Sequence, residues 1–248
     1  MNGWVIGEVI QIKHWTKNLF SLIIRAPINP FIAGQFTRLA LEINGERIQR
    51  AYSYVNAPKD PDLEFYCVTI PNGKFSTNLS LIKLGERIMV KKDASGFLIL
   101  DTIPSCDDLW MLATGTAIGP YLSILSQGED LDRFKNIILI HAVRFYNDFS
   151  YLNKISMLKK HYKGKLKTVL IVSREKIAGT LMGRIPNLIQ DGSLESTVGL
   201  TMSLEKSHVM LCGNPNMMRN VTEFLKNNRG MRKNLKNKIG NISSEHYW

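Results

Sequence analysis

The stretch QFTRLALEINGERIQRAYSY, running from Gln35 to Tyr54, reads as two strands joined by a tight turn. In its first half Leu39, Leu41 and Ile43 alternate with Arg38, Ala40 and Glu42, the period-two pattern of a strand with one buried face. Asn44-Gly45 follows at once. A type I′ hairpin turn needs positive φ at both central positions, and these two residues tolerate it best, so the return strand is expected from Arg47 to Tyr54. Outward from this hairpin, Leu19 to Ile24 and Leu63 to Ile70 have the same strand character, the second ending in the turn cluster Pro71-Asn72-Gly73. The brief helical candidate is Thr77 to Lys83. Short strands separated by turn chemistry predict a closed antiparallel β-barrel over residues 1–101.

After Pro104 the grammar changes. The apolar run Leu109 to Ala113 is followed by Ile118, Tyr121, Leu122 and Leu125, the spacing of one helical face. Strand-like runs recur at Ile137 to His141, Thr168 to Val172 and Val209 to Cys212, each before an amphipathic stretch. Residues 102–248 are therefore expected to form an α/β domain around a parallel five-stranded sheet. At the last run, Gly213-Asn214-Pro215 puts a capping Asn before a proline at the first helical position.

Ligands of open parallel sheets bind beyond the carboxyl ends of the strands. There the sequence offers Thr114-Gly115-Thr116-Ala117-Ile118-Gly119-Pro120, then Arg144, then Ser173-Arg174, then Gly213-Asn214-Pro215. Glycine-bearing turns allow close backbone approach, and neighbouring arginines supply charge, so a phosphate-bearing ligand is expected. A ribose hydroxyl calls for an acid and a 2′-phosphate calls for Arg. Arg144, Arg174 and Arg184 thus favour NADP over NAD, although Glu175 sits beside Arg174.

The 248 residues suffice for two cores, and 44% hydrophobic with 21% charged residues lies near the average of folded chains, which excludes a disordered one. The first residues lack the apolar stretch of a secretory signal, and no apolar run reaches the roughly 20 residues that cross a bilayer. Cys67, Cys106 and Cys212 are scattered without CxxC spacing, which argues against a disulfide framework, a metal site or an iron–sulfur cluster and fits a reducing cytoplasm. The net charge of +11 fits either nucleic acid or an acidic protein partner.

Four segments carry a resemblance: Arg50-Ala51-Tyr52-Ser53, Gly73-Lys74-Phe75-Ser76, Cys212-Gly213-Asn214-Pro215 and the final Tyr247-Trp248. In this order they resemble the ferredoxin–NADP reductase family, its bacterial flavodoxin/ferredoxin branch in particular, over essentially the whole chain. The resemblance implies a barrel that holds FAD non-covalently and a following domain that holds NADP(H). In its light Arg50 neutralises the FAD pyrophosphate with Lys74 and the helix start at Ser76 and Thr77, and Tyr52 lies against the flavin plane. Ser53 stands near N5, the hydride acceptor, and Ala51, Cys67 and Phe75 join the flavin surroundings. Bottom-up, Cys67 and Cys106 read only as packing or surface residues. Thr116 is assigned to the flavin or the pyrophosphate. Arg174 and Arg184 would grip the 2′-phosphate, with Val143, Arg144 and Ser173 beside them, while Cys212, Gly213 and Asn214 take the nicotinamide end. Tyr247 would cover the flavin face and Trp248 the adenosine side. Ser53, Cys212 and Tyr247 are the catalytic candidates.

The implied reaction passes electrons from NADPH as hydride to the flavin, then singly to flavodoxin or ferredoxin. Lys226, Arg229, Arg232, Lys233, Lys236 and Lys238 are the expected docking cations, with Arg229, Arg232 and Lys236 on one helical face. The family's default is a monomer. Two other readings stand beside this one: a reductase subunit feeding an iron–sulfur partner, and a basic nucleic-acid-binding protein. The latter predicts interleaved exposed aromatics, and no such motif is present.

Overall fold

A computed structural model of the protein describes residues 3–246, so Tyr247 and Trp248 lie outside the described residues. The chain divides into two compact units. The first contains the residues up to Ile99 together with Gly119–Gln127, and the second contains Leu100–Ile118 and the chain from Gly128 onward.

The first unit is an antiparallel sheet of six strands: β1 (Trp4–His14), β2 (Leu19–Arg25), β3 (Phe36–Ile43), β4 (Glu46–Ser53), β5 (Leu63–Val68) and β6 (Arg87–Lys91), in the order β4-β3-β6-β1-β2-β5. The β3–β4 hairpin turns on Asn44 at φ 54° and Gly45 at φ 76°, both positive as a type I′ turn requires. The two sheet edges meet just past β4, where Tyr54 bridges Phe65 and the Val55 N–H donates to Glu64 O at 2.9 Å. Inside lie Val9, Phe20, Leu22, Leu39, Phe65 and Val90, each worth about 1.5–3 kcal/mol of transfer from water.

Helix α1 spans Lys74–Ser80 and begins earlier than the sequence suggests. Its N-cap is Gly73, and Ser76 is not a cap. The Ser76 hydroxyl instead accepts from the Ile70 N–H at 3.0 Å, closing the turn before the helix. Helix α2 (Gly119–Gln127) also belongs to this unit, and its Ser123 hydroxyl donates to Asn56 O at 2.6 Å.

The second unit is a parallel sheet of β7 (Asp108–Thr114), β8 (Asn136–Val143), β9 (Leu166–Val172), β10 (Leu181–Met182), β11 (Ser207–Gly213) and β12 (Ile242–His246), in the order β10-β9-β8-β7-β11-β12. It has six strands where five are expected, because β10 is two residues long and too short to leave any periodicity in the sequence. Helices α3 (Leu152–His161), α4 (Ile185–Gln190), α5 (Ser193–Val198) and α6 (Pro215–Arg229) complete it. Trp110, Ile138, Ile140, Ile171, Val209 and Leu211 form its core with Met217, Met218, Val221 and Leu225 of α6.

Helix α6 ends at Arg229 with Gly230 as its C-cap, so Arg229, Arg232 and Lys236 do not share a helical face. Arg229 is also no free docking cation. Its Nη2 pairs with the Glu195 carboxylate at 2.8 Å and its Nη1 donates to Met202 O at 3.0 Å. Arg232, Lys233, Lys236 and Lys238 follow as an exposed, non-helical cationic segment. Among the described residues, no helix is long and apolar enough to cross a membrane.

Candidate functional site

In the first unit the candidate residues gather on one edge. Within the sheet β4 pairs only with β3, so its other side can offer backbone groups to a ligand. Arg50 and Ala51 are exposed there, Tyr52 is half-buried with its ring centroid 6.0 Å from that of Phe75, and Ser53 is buried. A cavity of about 340 Å³ beside this edge is lined by Glu46, Arg47, Ile48, Gln49, Arg50 and Lys74. Three cations stand against one carboxylate there, which gives the cavity a net positive lining. Arg50 is braced by donating to its neighbour's Gln49 O at 2.7 Å, whereas Lys74 pairs with Glu46 at 2.8 Å, an exposed contact that a phosphate can displace. The first turn of α1 adds backbone N–H groups with no intrahelical partner. Cys67 is buried on β5, its Sγ 3.6 Å from Phe65 O, and burial pushes its thiol far above the usual range.

In the second unit the carboxyl ends of adjacent strands each present one polar group. Arg144 follows β8 directly, Arg174 stands two residues past β9 and Arg184 two residues past β10, and all three are exposed. The ends of β8 and β9 are tied together, since the Arg174 N–H donates to Arg144 O at 3.0 Å and the Ser173 N–H to Val143 O at 3.0 Å. The Arg174 guanidinium lies 5.6 Å from the centre of the Phe145 ring. Glu175 is turned to the Tyr146 backbone N–H, so the acid beside Arg174 already has a partner.

At the ends of β7 and β11 the backbone itself is the feature. Gly213 has φ 126°, and a Cβ there would stand 2.1 Å from Thr114 Oγ1, so no other residue fits. The same Oγ1 accepts from the Asn214 N–H at 2.8 Å, while the Asn214 side chain caps α6 by accepting from the N–H groups of Asn216 and Met217 at 3.0 and 3.1 Å. Next to it Gly115 has φ 57°, and a Cβ there would meet nothing within 4 Å, which leaves space for a ligand to approach the turn Gly115–Ile118. Cys212 is fully buried in the sheet between β7 and β12, and burial, helped by the Glu245 charge, holds its thiol well above the usual range. Thr116 is buried in the Gly115–Ile118 turn.

Sequence reasoning gave no individual role to two residues here. Thr114 anchors the β7 and β11 ends to each other. His141 is buried on β8, with Nε2 2.9 Å from Gly115 O. Its signal was a lone polar residue inside the run Asn136–Val143, since strands covered on both faces are otherwise apolar.

An antiparallel sheet with a cation-lined edge, followed by a parallel sheet with arginines at successive strand ends, matches the two-unit plan of flavin- and nicotinamide-dependent oxidoreductases. Two family models agree: the oxidoreductase FAD-binding domain matches residues 8–97 and the oxidoreductase NAD-binding domain residues 111–223. The chain is 57% identical over 248 residues, 100% of both chains, to a flavodoxin/ferredoxin–NADP reductase of Escherichia coli, and 31% identical to a ferredoxin–NADP reductase of Pseudomonas aeruginosa over 91% of this chain and 90% of the other. A crystal structure of a ferredoxin NADP+ reductase from Neisseria gonorrhoeae with bound FAD and NADP superimposes with a TM-score of 0.94 at 32% identity, covering 100% of each chain. The chain belongs to the flavodoxin/ferredoxin–NADP reductase family.

Proposed function

We propose that this protein carries electrons between NADPH and a flavodoxin or ferredoxin through non-covalently bound FAD. The observation that carries the reading is the row Arg144, Arg174 and Arg184, one at the end of each of three adjacent parallel strands. Three exposed guanidinium groups in one row suit a 2′-phosphate, which NADP has and NAD lacks.

Bound FAD supplies the chemistry of exchanging hydride with a nicotinamide and single electrons with a carrier. The chain's own residues bind, orient and exclude water. Arg50 and Lys74, with the first turn of α1, neutralise the FAD pyrophosphate. The Tyr52 ring backs the flavin, Ser53 offers its hydroxyl at the reactive edge, and Ala51, Cys67 and Phe75 shape the surroundings. Arg174 and Arg184 hold the 2′-phosphate, with Arg144, Ser173 and Val143 beside them. Thr116 and the Gly115 turn take the pyrophosphate, and Cys212, Gly213 and Asn214 flank the nicotinamide. The Cys212 thiol is fully buried within the sheet, so its part is to pack the β11 end behind the nicotinamide site rather than to transfer a proton. Tyr247 and Trp248 are assigned to the flavin face and the adenosine side through the resemblance alone.

Lys226, Arg232, Lys233, Lys236 and Lys238, all exposed, form the docking cations for an acidic carrier. The protein works as a cytoplasmic monomer, and its three free thiols are consistent with a reducing compartment. The test is an anaerobic absorbance titration of the FAD-loaded protein. NADPH is expected to bleach the flavin bands far faster than NADH, and Arg174→Ala with Arg184→Ala together to remove most of that preference. A preference left unchanged by the double substitution refutes the assignment of these arginines. A protein that takes up no FAD refutes the function.

A further inference from the structure

Phe145 is the second residue past β8, and it is 44% exposed at the strand end where ligands of a parallel sheet bind. Its backbone is fixed on both sides. The Phe145 N–H donates to the Asp148 carboxylate at 3.1 Å, and its C=O accepts from the Asp148 N–H at 3.0 Å. The next residue, Tyr146, gives its N–H to Glu175 and sets its ring edge-on to the buried Phe149, with centroids 5.7 Å apart. A large apolar ring is thus held out of the core on a braced turn. The group over that ring is the Arg174 guanidinium, 5.6 Å from its centre.

A ring holds Arg174 in a way that an acid would not. Glu175 is the carboxylate nearest in sequence, but the Tyr146 N–H engages it, and Arg174 has no ion pair among the described residues. A carboxylate would neutralise the guanidinium and compete with a phosphate for its donors. An aromatic ring instead attracts the cation through its quadrupole and takes none of the N–H groups in the guanidinium plane. Held on Phe145, Arg174 keeps its full charge and its donors for an incoming anion. It also loses less rotamer freedom when that anion binds, because it is already confined.

We propose that Phe145 is a positioning residue for coenzyme choice, its ring holding the Arg174 guanidinium, uncompensated, for the 2′-phosphate of NADP(H). The inference rests on the reading that Arg174 takes that phosphate. Phe145 acts only through Arg174, and Arg174 only through a group that NAD(H) lacks. Loss of the ring therefore falls on NADP+ affinity and on the KM for NADPH. The KM for NADH and kcat at saturating NADPH stay as they are.

Phe145→Leu removes the ring and keeps an apolar side chain, whereas Phe145→Tyr keeps the ring. Each is made alone, and Phe145→Leu is also combined with Arg174→Ala. NADP+ is titrated into the FAD-loaded full-length proteins by difference absorbance, and the KM values for NADPH and NADH are measured with a small-molecule electron acceptor. Phe145→Leu is expected to bind NADP+ about threefold more weakly, the worth of one exposed cation–π contact, with the KM for NADH unchanged. Phe145→Tyr is expected to match wild type. With Arg174→Ala already present, Phe145→Leu is expected to change nothing further. Unchanged NADP+ affinity in Phe145→Leu, an equal rise in both KM values, or a loss that persists beside Arg174→Ala overturns the proposal. An Arg174→Ala protein that binds NADP+ as tightly as wild type overturns the 2′-phosphate reading itself, and the proposal with it.

Discussion

Two buried imidazoles, His141 and His208, both pushed down to about 4 by burial, make the stability of the α/β unit depend on pH, and His208 can be isolated by substitution. His208 on β11 is 0% exposed, bonded through Nε2 to Ser243 Oγ at 2.9 Å, and its Nδ1 has no partner among the described residues. Burial, together with the nearby Arg133 charge, pushes its pKa from 6.5 down to about 4. An unfolded chain takes up this proton near the ordinary value while the folded one resists it. Between the two values the unfolded state therefore binds more protons, and stability falls as the pH falls. Going from about pH 7.5 to pH 5, the linkage amounts to about 2 kcal/mol for this one group. His208→Gln keeps a polar partner for the Ser243 hydroxyl, able to donate or accept, and removes the titration. Urea unfolding of the FAD-saturated protein, followed by circular dichroism at both pH values, is expected to show the variant losing about 2 kcal/mol less than wild type on acidification. An equal loss in both proteins means that His208 is not held neutral, and the reasoning fails.

Gly213→Ala forces a Cβ to within 2.1 Å of Thr114 Oγ1 at a φ of 126°, and is expected to cost about 2–4 kcal/mol. A lowered thermal midpoint with weakened NADP+ binding is the expected result, and an unchanged midpoint refutes the crowding argument. Arg229→Ala strands the Glu195 carboxylate, whose side chain is 8% exposed, at a cost of about 2 kcal/mol, while leaving the KM for the carrier unchanged. Arg232→Ala should do the reverse, raising the carrier KM at low salt with no change in urea midpoint. A swap of these phenotypes refutes the division between structural and docking cations.

The parts of the fold that were legible are those where a local rule acts alone. Asn44-Gly45 announces its hairpin because few other residues accept positive φ twice running, and Asn214-Pro215 announces α6 because the cap and the proline each fit one position only. The arginines after β8 and β9 were legible because each follows an apolar run. Other features depend on distant neighbours. β1 was missed because a register shift between Val9 and Gln11 breaks its alternation. β12, Ile242–His246, has almost no apolar content and is a strand only because β11 accepts it as an edge. Ser76 marked the expected helix start, and only the fold shows that its hydroxyl serves the Ile70 N–H one turn earlier. His141 and Thr114 act on backbone groups of another strand or turn, and no spacing in the sequence encodes that.

The first unit is discontinuous in sequence, and this limits how the gene can be cut and rejoined. Its helix α2 comes from the middle of the chain. There Gly119 is close enough to Val55 that an added Cβ would lie 3.3 Å from Val55 Cγ2, and Ser123 holds the Asn56 carbonyl whose own side chain holds Glu64. A fragment ending near Ile99 loses that helix and uncovers the loop after β4. Swapping halves between relatives at that junction therefore also exchanges a wall of the flavin-bearing half, so a chimaera inherits its Val55–Asn56 contacts from two parents. Compatible parents would be those matched at Val55, Asn56, Gly119 and Ser123, four positions that behave as one inherited unit across a cut placed at the end of the first unit's main segment.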